Sequence, residues 1–178
     1  MPRVDTLDTV RTGATANRPT SGLPDVLLRE VFGAVPTSVV AVCAMIDGAP
    51  GGMVFSTFTA VSMHPPLVSV CVGNSSGTWP LLRRAPRLGV SVLGAWHTTV
   101  STQLAGPYAD RFTGLGLRLC DGGGILLDDA AAWLECSLRA EIPAGDHRVA
   151  LLDIHALGAD RATAPLVYRH SRCAPLAA

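Results

Sequence analysis

The sequence predicts a mainly β protein, an antiparallel Greek-key split β-barrel with a few short helices. Two observations support this fold class: segments with the composition of strands follow one another closely, and the helical segments between them are short. Long helices alternating regularly with strands would instead favour a parallel α/β sheet. Consecutive strands with short connections are typical of closed or partly open antiparallel barrels. A length of 178 residues suits one domain with its own core.

The first predicted element is a short helix that begins at Ser21 or Gly22, holds Pro24 in its first turn and ends at Gly33. Asp47-Gly48 is a strong hairpin signal between two strands. A second connection, residues 143–146, joins two long strands. The predicted strands are 38–46, 52–56, 67–72, 88–93, 130–142, 148–157 and 165–168, and the other predicted helices are 78–84 and 98–105.

The composition excludes several classes of function. The chain has 48% apolar and 16% charged residues, its net charge is zero, and all 14 of its cationic side chains are arginines. Without a basic stripe we expect no nucleic-acid binding, and without lysine there is no lysine-dependent catalysis. No apolar run reaches the ~18 residues of a membrane helix, so no membrane association is expected. Residues 1–20 lack an apolar stretch and are interpreted as a flexible N-terminal tail rather than a signal peptide, before one domain over 21–178.

Cysteine usage and missing motifs narrow the chemistry further. The five cysteines are widely spaced and form no Cys/His metal pattern, which favours a reducing cytoplasmic location and no metal site. Signatures of Rossmann, P-loop, zinc-protease and serine-hydrolase sites are absent from the sequence. We interpret Gly122-Gly123-Gly124 as a flexible turn and Asp128-Asp129 as a solvated one. His97 and His155 are expected to be structural.

Residues 52–67 form the most informative stretch. Four hydroxyl side chains lie within seven residues, at Ser56, Thr57, Thr59 and Ser62, interleaved with apolar side chains. Hydroxyls and backbone N–H groups at this density can donate hydrogen bonds to a planar, acceptor-rich ring or to a phosphate. Composition alone is equally consistent with a polar turn between two strands.

The order of residues in this stretch resembles the signature of the short-chain flavin reductase family, whose members supply reduced flavin to two-component monooxygenases. In that family a Gly-Met-Thr-small-Ser-Ser-Phe-Thr-x-Val-Ser segment leads into an acidic residue and Pro-Pro-Leu. Val54, Phe55 and His64 depart from the pattern by replacing a threonine, a small residue and the acid. The matching residues are Gly52, Met53, Ser56, Thr57, Phe58, Thr59, Val61, Ser62, Pro65, Pro66 and Leu67.

Five further segments resemble the family in the expected order, so that the likeness covers about residues 28–170. They are the Asn74-Ser75-Ser76-Gly77-Thr78-Trp79-Pro80 loop, Ala105-Gly106 with Asp110-Arg111-Phe112, Trp133-Leu134-Glu135-Cys136, the Ala144-Gly145-Asp146-His147 turn, and Leu166-Val167-Tyr168-Arg169-His170.

The resemblance implies a non-covalently held FAD or FMN that is reduced by NADH or NADPH. Hydride transfer is the cofactors' own chemistry, so no acid or base residue is expected. The implied flavin contacts are Met53, Phe55, Ser56, Thr57, Phe58, Thr59, Ser62, Asn74, Ser75, Ser76, Thr78, Ala105, Arg111 and Phe112. The implied nicotinamide contacts are His147, Tyr168 and His170.

Among these residues, Ser56 and Thr57 would bind the pyrimidine edge of the flavin ring. Arg111 would contact a phosphate, the alternative being a surface ion pair with Asp110. Phe55 is the departure with most effect on the interpretation, since it would narrow the site or stack near the ring.

The resemblance also implies a homodimer and a partner monooxygenase that receives reduced flavin. Two other interpretations stay open. One is a non-catalytic flavin-binding split barrel, which Phe55 would favour if it covered the ring. The other is a barrel related to pyridoxamine-phosphate oxidase, which ranks last because a chain without lysine offers few basic phosphate ligands. The choices of FAD or FMN and of NADH or NADPH are left undecided.

Overall fold

The computed structural model describes residues 22–176. It contains three α-helices, two short 3₁₀ turns at Ala95–His97 and Tyr108–Asp110, and twelve strands within that range. The helices are α1 Asp25–Gly33, α2 Trp79–Leu82 and α3 Thr98–Ala105. The strands are β1 Thr37–Ser38, β2 Val40–Ile46, β3 Ala49–Phe55, β4 Thr59–Met63, β5 Pro66–Gly73, β6 Leu88–Val92, β7 Leu117–Leu119, β8 Ile125–Leu127, β9 Ala132–Ala144, β10 His147–Ala159, β11 Leu166–Arg169 and β12 Arg172–Pro175.

Seven of these strands form one antiparallel sheet in the order β3-β2-β6-β9-β10-β5-β4. Its two edge strands, β3 and β4, are joined by only residues 56–58. A connection this short forces the sheet to curl until its edges meet at one end. Within the described residues β3 and β4 do not pair with each other, so the barrel is split along this seam. The predicted fold class is confirmed.

Strand β2 explains how an uninterrupted apolar run fits this barrel. Val40, Val42 and Ala44 point into the barrel core, which the β5 valines and Leu152 help to fill. Ala41 and Cys43 alternate onto the outer face, in a second core formed with residues of α3, β8 and β11. Because both faces are covered, the strand has no polar side, as expected for a strand buried on two faces.

The predicted Asp47-Gly48 turn is confirmed. Asp47 and Gly48 have φ angles of +49° and +84°, the left-handed pair that a two-residue type I′ hairpin requires. A longer hairpin joins β9 and β10, with Gly145 at φ +66°. Gly122 and Gly123 have φ angles of +88° and +94° and form the turn of the β7–β8 hairpin, in agreement with their interpretation as a turn.

Strands β4, β7, β8 and β12 were not predicted, and two of them have clear reasons. Strand β4 is polar and mostly exposed, because it lies at the sheet edge. Strand β12 follows a turn at His170-Ser171, where both residues have positive φ, +46° and +60°. A two-residue turn without glycine or asparagine gives no turn signal in the sequence.

Helix α1 begins after Pro24 and ends at Gly33, close to its predicted range, although Pro24 itself occupies the N-cap position predicted for Ser21 or Gly22. The sequence also predicts an apolar face on this helix, formed by Leu27, Leu28, Val31 and Phe32. That face is largely exposed, since none of the helix residues is buried. The expected N-terminal tail, residues 1–20, lies outside the described residues. Among the described helices, none is long and apolar enough to cross a membrane.

Candidate functional site

The three-residue turn between β3 and β4 borders two adjoining cavities that share Ser56, Tyr168 and Ser171. The first, here called the α3 cavity, has a volume of 430 Å³. The second, the α1 cavity, has a volume of 530 Å³. The α3 cavity is lined by Val39, Val54, Ser56, Thr98, Ser101, Thr102, Ala105, Tyr168, Ser171 and Cys173. The α1 cavity is lined by Arg29, Phe32, Gly33, Val35, Thr37, Ser56, Thr57, Tyr168 and Ser171.

Thr57 fixes the shape of the turn. Its hydroxyl Oγ1 accepts a hydrogen bond from the backbone N–H of Cys71 at 2.9 Å and donates one to the carbonyl of the same residue at 3.2 Å. Cys71 lies on β5, so this side chain ties the turn to the strand next to β4. Ser56 has no such bond within the described residues, and it lines both cavities.

Arg111 connects three parts of the site. Its Nε donates to the Gly106 carbonyl at 2.9 Å, and its Nη1 donates to the Gly52 carbonyl at 2.9 Å and to Thr78 Oγ1 at 2.8 Å. The guanidinium also lies over the ring of Tyr108, 5.4 Å from its centroid. Within the described residues Arg111 forms no ion pair with Asp110, which was the alternative expectation. It instead links β3, the 74–78 loop and the end of α3.

The 74–78 loop is anchored to the β9–β10 hairpin through Asn74. The Asn74 amide Nδ2 donates to the Gly145 carbonyl at 3.2 Å, its backbone N–H donates to Asp146, and its Oδ1 faces the Arg148 guanidinium at 3.4 Å. The Asn74 side chain is thus already engaged with protein groups. Ser75 is exposed on the same loop.

Ser76 and Thr78 complete this loop. Ser76 Oγ accepts the N–H of Trp79 at 3.2 Å and contacts the sulfur of Met53 at 3.6 Å. Thr78 contacts Arg111, as described above. These contacts bring the predicted flavin residues on β3 and on the loop together at one end of the barrel.

The three predicted nicotinamide residues separate into two groups. Tyr168 lines both cavities, and His170 follows it in the β11–β12 turn, where its N–H donates to the Gly33 carbonyl at 2.7 Å. His147 lies elsewhere, at the start of β10, where its ring stands over Gly73. It lines neither cavity.

His147 forms a pair with Asp146. Its Nδ1 lies 2.8 Å from Asp146 Oδ1, and its side chain is 46% exposed. The hydrogen bond from His147 lowers the pKa of the Asp146 carboxyl below its usual range. His147 pairs in register with Gly73, two residues along β5 from the Cys71 contact of Thr57. One such two-residue step is about 6.6 Å, so a ligand of nucleotide size can reach both.

Three predicted flavin contacts are packing residues in the structure. Phe55 is 5% exposed and meets Trp79 edge-on, with ring centroids 6.2 Å apart. Phe58 packs against the barrel core and Phe112 against the second core. None of the three lines either cavity, so their contact with flavin stays a prediction. Phe55 does not cover the site.

The other predicted flavin contacts, Ala105, Thr59 and Ser62, lie on two different elements of the fold. Ala105 lines the α3 cavity at the last turn of α3. Thr59 and Ser62 lie on β4, and Ser62 Oγ accepts the N–H of His64 at 3.2 Å. Val54, the position where a threonine was expected, faces the α3 cavity and supplies no hydrogen bond there.

Several residues that line the α3 cavity were not predicted. Those on α3 could have been found from the spacing of its small side chains. Its small side chains Thr98, Ser101, Thr102 and Ala105 follow the i, i+3, i+4, i+7 spacing of one helix face, and that face lines the α3 cavity. Ser171 and Cys173 belong to the turn and strand that the sequence did not reveal.

The buried thiols do not add a nucleophile. Burial raises the pKa of Cys43 and of Cys136 to about 12, so both stay protonated at neutral pH. Within residues 22–176 no group of three or more metal-ligating side chains comes together. The cleft formed by the two cavities offers hydroxyl groups, backbone groups and one arginine, Arg29.

The fold and this cleft define a split-barrel protein whose site suits an elongated, polar, aromatic ligand. The chain belongs to the flavin reductase family: the family described as flavin reductase like domain matches residues 32–177.

Individual relatives agree with this assignment. A flavin reductase of Pseudomonas putida is 36% identical over 141 residues, covering 79% of this chain and 83% of that protein. The reductase subunit of a flavin-dependent monooxygenase from Rhodococcus jostii (strain RHA1) is 29% identical over 140 residues, covering 79% and 72%. The solved NADH:FAD oxidoreductase of Streptomyces globisporus C-1027, in complex with NAD and FAD fragments, has a TM-score of 0.79 and 32% identity, covering 86% and 93%.

Proposed function

We propose that this chain is an NAD(P)H:flavin oxidoreductase that holds FAD or FMN without a covalent bond and supplies the reduced flavin to a separate monooxygenase component. The observation that carries the proposal is the turn at residues 56–58, which joins the barrel's edge strands and borders both cavities in a member of the flavin reductase family. Relatives that are reductase subunits of flavin-dependent monooxygenases support the partner.

The residues of the cleft fit a flavin. A volume of 430 Å³ is within the ~300–1,000 Å³ range of small-molecule sites. Hydroxyls of Ser56 and of the α3 face supply donors and acceptors for an isoalloxazine ring, while Val54 and Ala105 supply apolar contact. A bound flavin would supply the hydride-transfer chemistry with the nicotinamide, and that chemistry requires no acid or base from the protein.

The turn residues and Arg111 have different tasks. Ser56 and the backbone of the turn would donate hydrogen bonds to the ring edge on which negative charge develops, and would thereby favour the reduced form. Arg111 and Thr78 would hold the flavin phosphate, since a guanidinium N–H forms a charge-assisted hydrogen bond to a phosphate oxygen. Within the described residues the protein bonds of Arg111 involve Nε and Nη1, which leaves Nη2 for the phosphate.

A homodimer is part of the proposal. Leu27 and Val31 lie one turn apart on the side of α1 away from Arg29 and are exposed, as are Val61 and Met63 on the edge strand β4. Met63 is 81% exposed. A second copy of the chain would cover these side chains and the open edge of β4. Light scattering coupled to gel filtration tests this, with a monomer at micromolar concentration as the contrary result.

The test of the activity is the oxidation of NADH or NADPH in air by the purified chain, with FAD or FMN added at increasing concentration. Turnover that saturates with flavin is the expected result, and it identifies the preferred flavin and nucleotide directly. Reduced flavin released by the chain should then support a flavin-dependent monooxygenase added as a separate component. Flavin binding, followed by fluorescence quenching, without turnover with either nucleotide would contradict the proposal and leave a flavin-binding barrel. The structure offers no observation in favour of that alternative, because Phe55 is in the core.

A further inference from the structure

The α1 cavity has a chemistry of its own. Arg29 is the one cation among the residues that line either cavity, and within residues 22–176 it makes no ion pair. Phe32, one turn further along α1, is 68% exposed on the same cavity. Thr37 lines the wall, and its hydroxyl oxygen is buried without a hydrogen-bond partner in the described part of the chain. The cavity therefore combines an arginine and an exposed aromatic ring, three residues apart on the same helix face.

The order of the groups along the cleft shows which part of a ligand the cavity would meet. Arg111 bonds to the Gly106 carbonyl, beside Ala105 at one end of the α3 cavity. At the other end, Tyr168 and Ser171 mark the boundary with the α1 cavity, and Arg29 lies beyond them. Arg29 therefore lines one end of the cleft, Arg111 lies just outside the other end, and the lining between them is uncharged.

We propose that the α1 cavity binds the adenosine diphosphate part of a dinucleotide. In this arrangement Arg29 contacts the phosphates, the ring of Phe32 packs on the adenine, and the hydroxyl of Ser171 meets ribose. A guanidinium matches phosphate geometry, and an exposed aromatic ring stacks on a base irrespective of sequence. The proposal rests on the proposed function and adds the place and the residues that take the second nucleotide.

Two molecules carry this group, FAD and the nicotinamide dinucleotide. The position of the cavity favours the nicotinamide dinucleotide, because the proposed flavin phosphate contact, Arg111, lies at the opposite end of the cleft. With its adenosine end at Arg29, such a dinucleotide would place its nicotinamide near the boundary at Ser56 and Tyr168, next to the proposed flavin ring.

The test compares the wild-type chain with Arg29→Gln and Phe32→Ala. Both residues are exposed on a helix with no buried residue, so neither change removes a core contact. Arg161→Gln is the matched control, since it removes an exposed arginine that lines neither cavity. Calorimetric titration with ADP measures the cavity alone, and titrations with FAD and FMN, together with the KM for NADH, identify the dinucleotide.

We expect ADP to bind the wild-type chain and the Arg161→Gln control alike, and to bind Arg29→Gln roughly tenfold more weakly, the usual effect of one charge-assisted hydrogen bond. A similar rise in the KM for NADH with either flavin, at unchanged flavin affinity, would identify the nicotinamide dinucleotide. Weaker binding of FAD with unchanged binding of FMN and NADH would keep the cavity and assign it to FAD.

Equal binding of ADP, FAD and NADH by the wild-type chain and Arg29→Gln would overturn the proposal, as would a wild-type chain that does not bind ADP. Lack of NADH oxidation by the wild-type chain would refute the proposed reductase instead, and the ADP titration would still decide the cavity.

Discussion

The hydroxyl of Thr57 exchanges two hydrogen bonds with the backbone of Cys71, and this single side chain connects the turn at the barrel seam to β5. The contact spans 14 positions of sequence. It gives Thr57 a structural task beside the contact with flavin that the sequence predicts. The two tasks can be separated by substitution.

Replacing Thr57 by valine preserves the shape of the side chain and removes both hydrogen bonds. Because the Cys71 N–H and carbonyl lose their partner, we expect the free energy of unfolding to fall by about 1–2 kcal/mol, the usual range for such bonds. Urea unfolding followed by circular dichroism measures this. Thr57→Ser keeps the hydroxyl and should unfold close to the wild-type midpoint, whereas a wild-type midpoint in Thr57→Val would show that the two bonds do not stabilise the fold.

Arg111→Lys tests the proposed phosphate contact. Lysine keeps the charge but cannot reproduce the fork that binds the carbonyls of Gly106 and Gly52 and the hydroxyl of Thr78. We expect FMN to bind roughly tenfold more weakly, whereas riboflavin, which lacks the phosphate, should bind almost as it does to the wild-type chain. Fluorescence titration compares the two ligands. An equal loss for both would mean that Arg111 only shapes the site.

His147→Ala tests the nicotinamide contact implied by the Gly-Asp-His turn. We expect the KM for NADH to rise about fivefold to tenfold, the size of one hydrogen bond, with flavin affinity little changed. Steady-state kinetics and a flavin titration give the two numbers. His155→Ala is the control, because His155 is also exposed on β10 and bonds to Ser137. Unchanged kinetics in His147→Ala would remove this residue from the site.

Because His97 is buried and accepts a hydrogen bond, we expect the protein to lose stability in mild acid. His97 Nδ1 accepts the Gly94 N–H at 3.1 Å, which requires an unprotonated nitrogen. Burial lowers its pKa, although the Asp128 carbonyl and the Asp129 charge oppose the shift. The unfolded chain therefore binds a proton on His97 more tightly than the folded chain does. The contribution of neutral His97 to the free energy of unfolding is complete above the pKa of about 6.5 in the unfolded chain, and it is lost as pH falls through the lower pKa of His97 in the folded chain.

The measurement is the urea midpoint between about pH 8 and pH 5. His97→Gln, whose side chain keeps an acceptor but does not titrate, should show a flatter profile than the wild-type chain. His64→Gln, at an exposed position, should follow the wild-type profile. If His97→Gln and the wild-type chain lose stability in parallel, other groups cause the acid sensitivity.

The sequence carried the parts of the fold that depend on local signals. The Asp47-Gly48 hairpin, helix α3 and the long β9–β10 pair lie where their turn residues and apolar patterns predict. Strand β12 was missed because the His170-Ser171 turn uses left-handed backbone at residues that rarely adopt it. Strand β4 was missed because an exposed edge strand needs no apolar face, and its pairing with β5 depends on tertiary contacts.

In the candidate site, too, some features follow from local sequence patterns and others depend on tertiary contacts. The turn at residues 56–58 was predicted from its hydroxyls together with the family resemblance, and the 74–78 loop was predicted from the resemblance alone. Which of two neighbouring side chains faces the cleft depends on register, and Phe55 and Ser56 point to opposite sides of the chain. Arg29 is 27 positions before Ser56 in the chain and meets it only because α1 and β11 pack beside the turn, a relationship that no local pattern encodes.

The split between β3 and β4 also determines where the barrel can open. Backbone amides along an unpaired seam exchange with solvent through small local openings, at a lower cost than those of the central strands. Because the proposed ligand lies at this seam, its binding free energy is added to the closed form. Amide exchange at residues 53–60 should therefore slow when flavin is present, while exchange in β6 and β9 stays the same. The bound ligand would therefore stabilise the barrel at the seam where β3 and β4 do not pair.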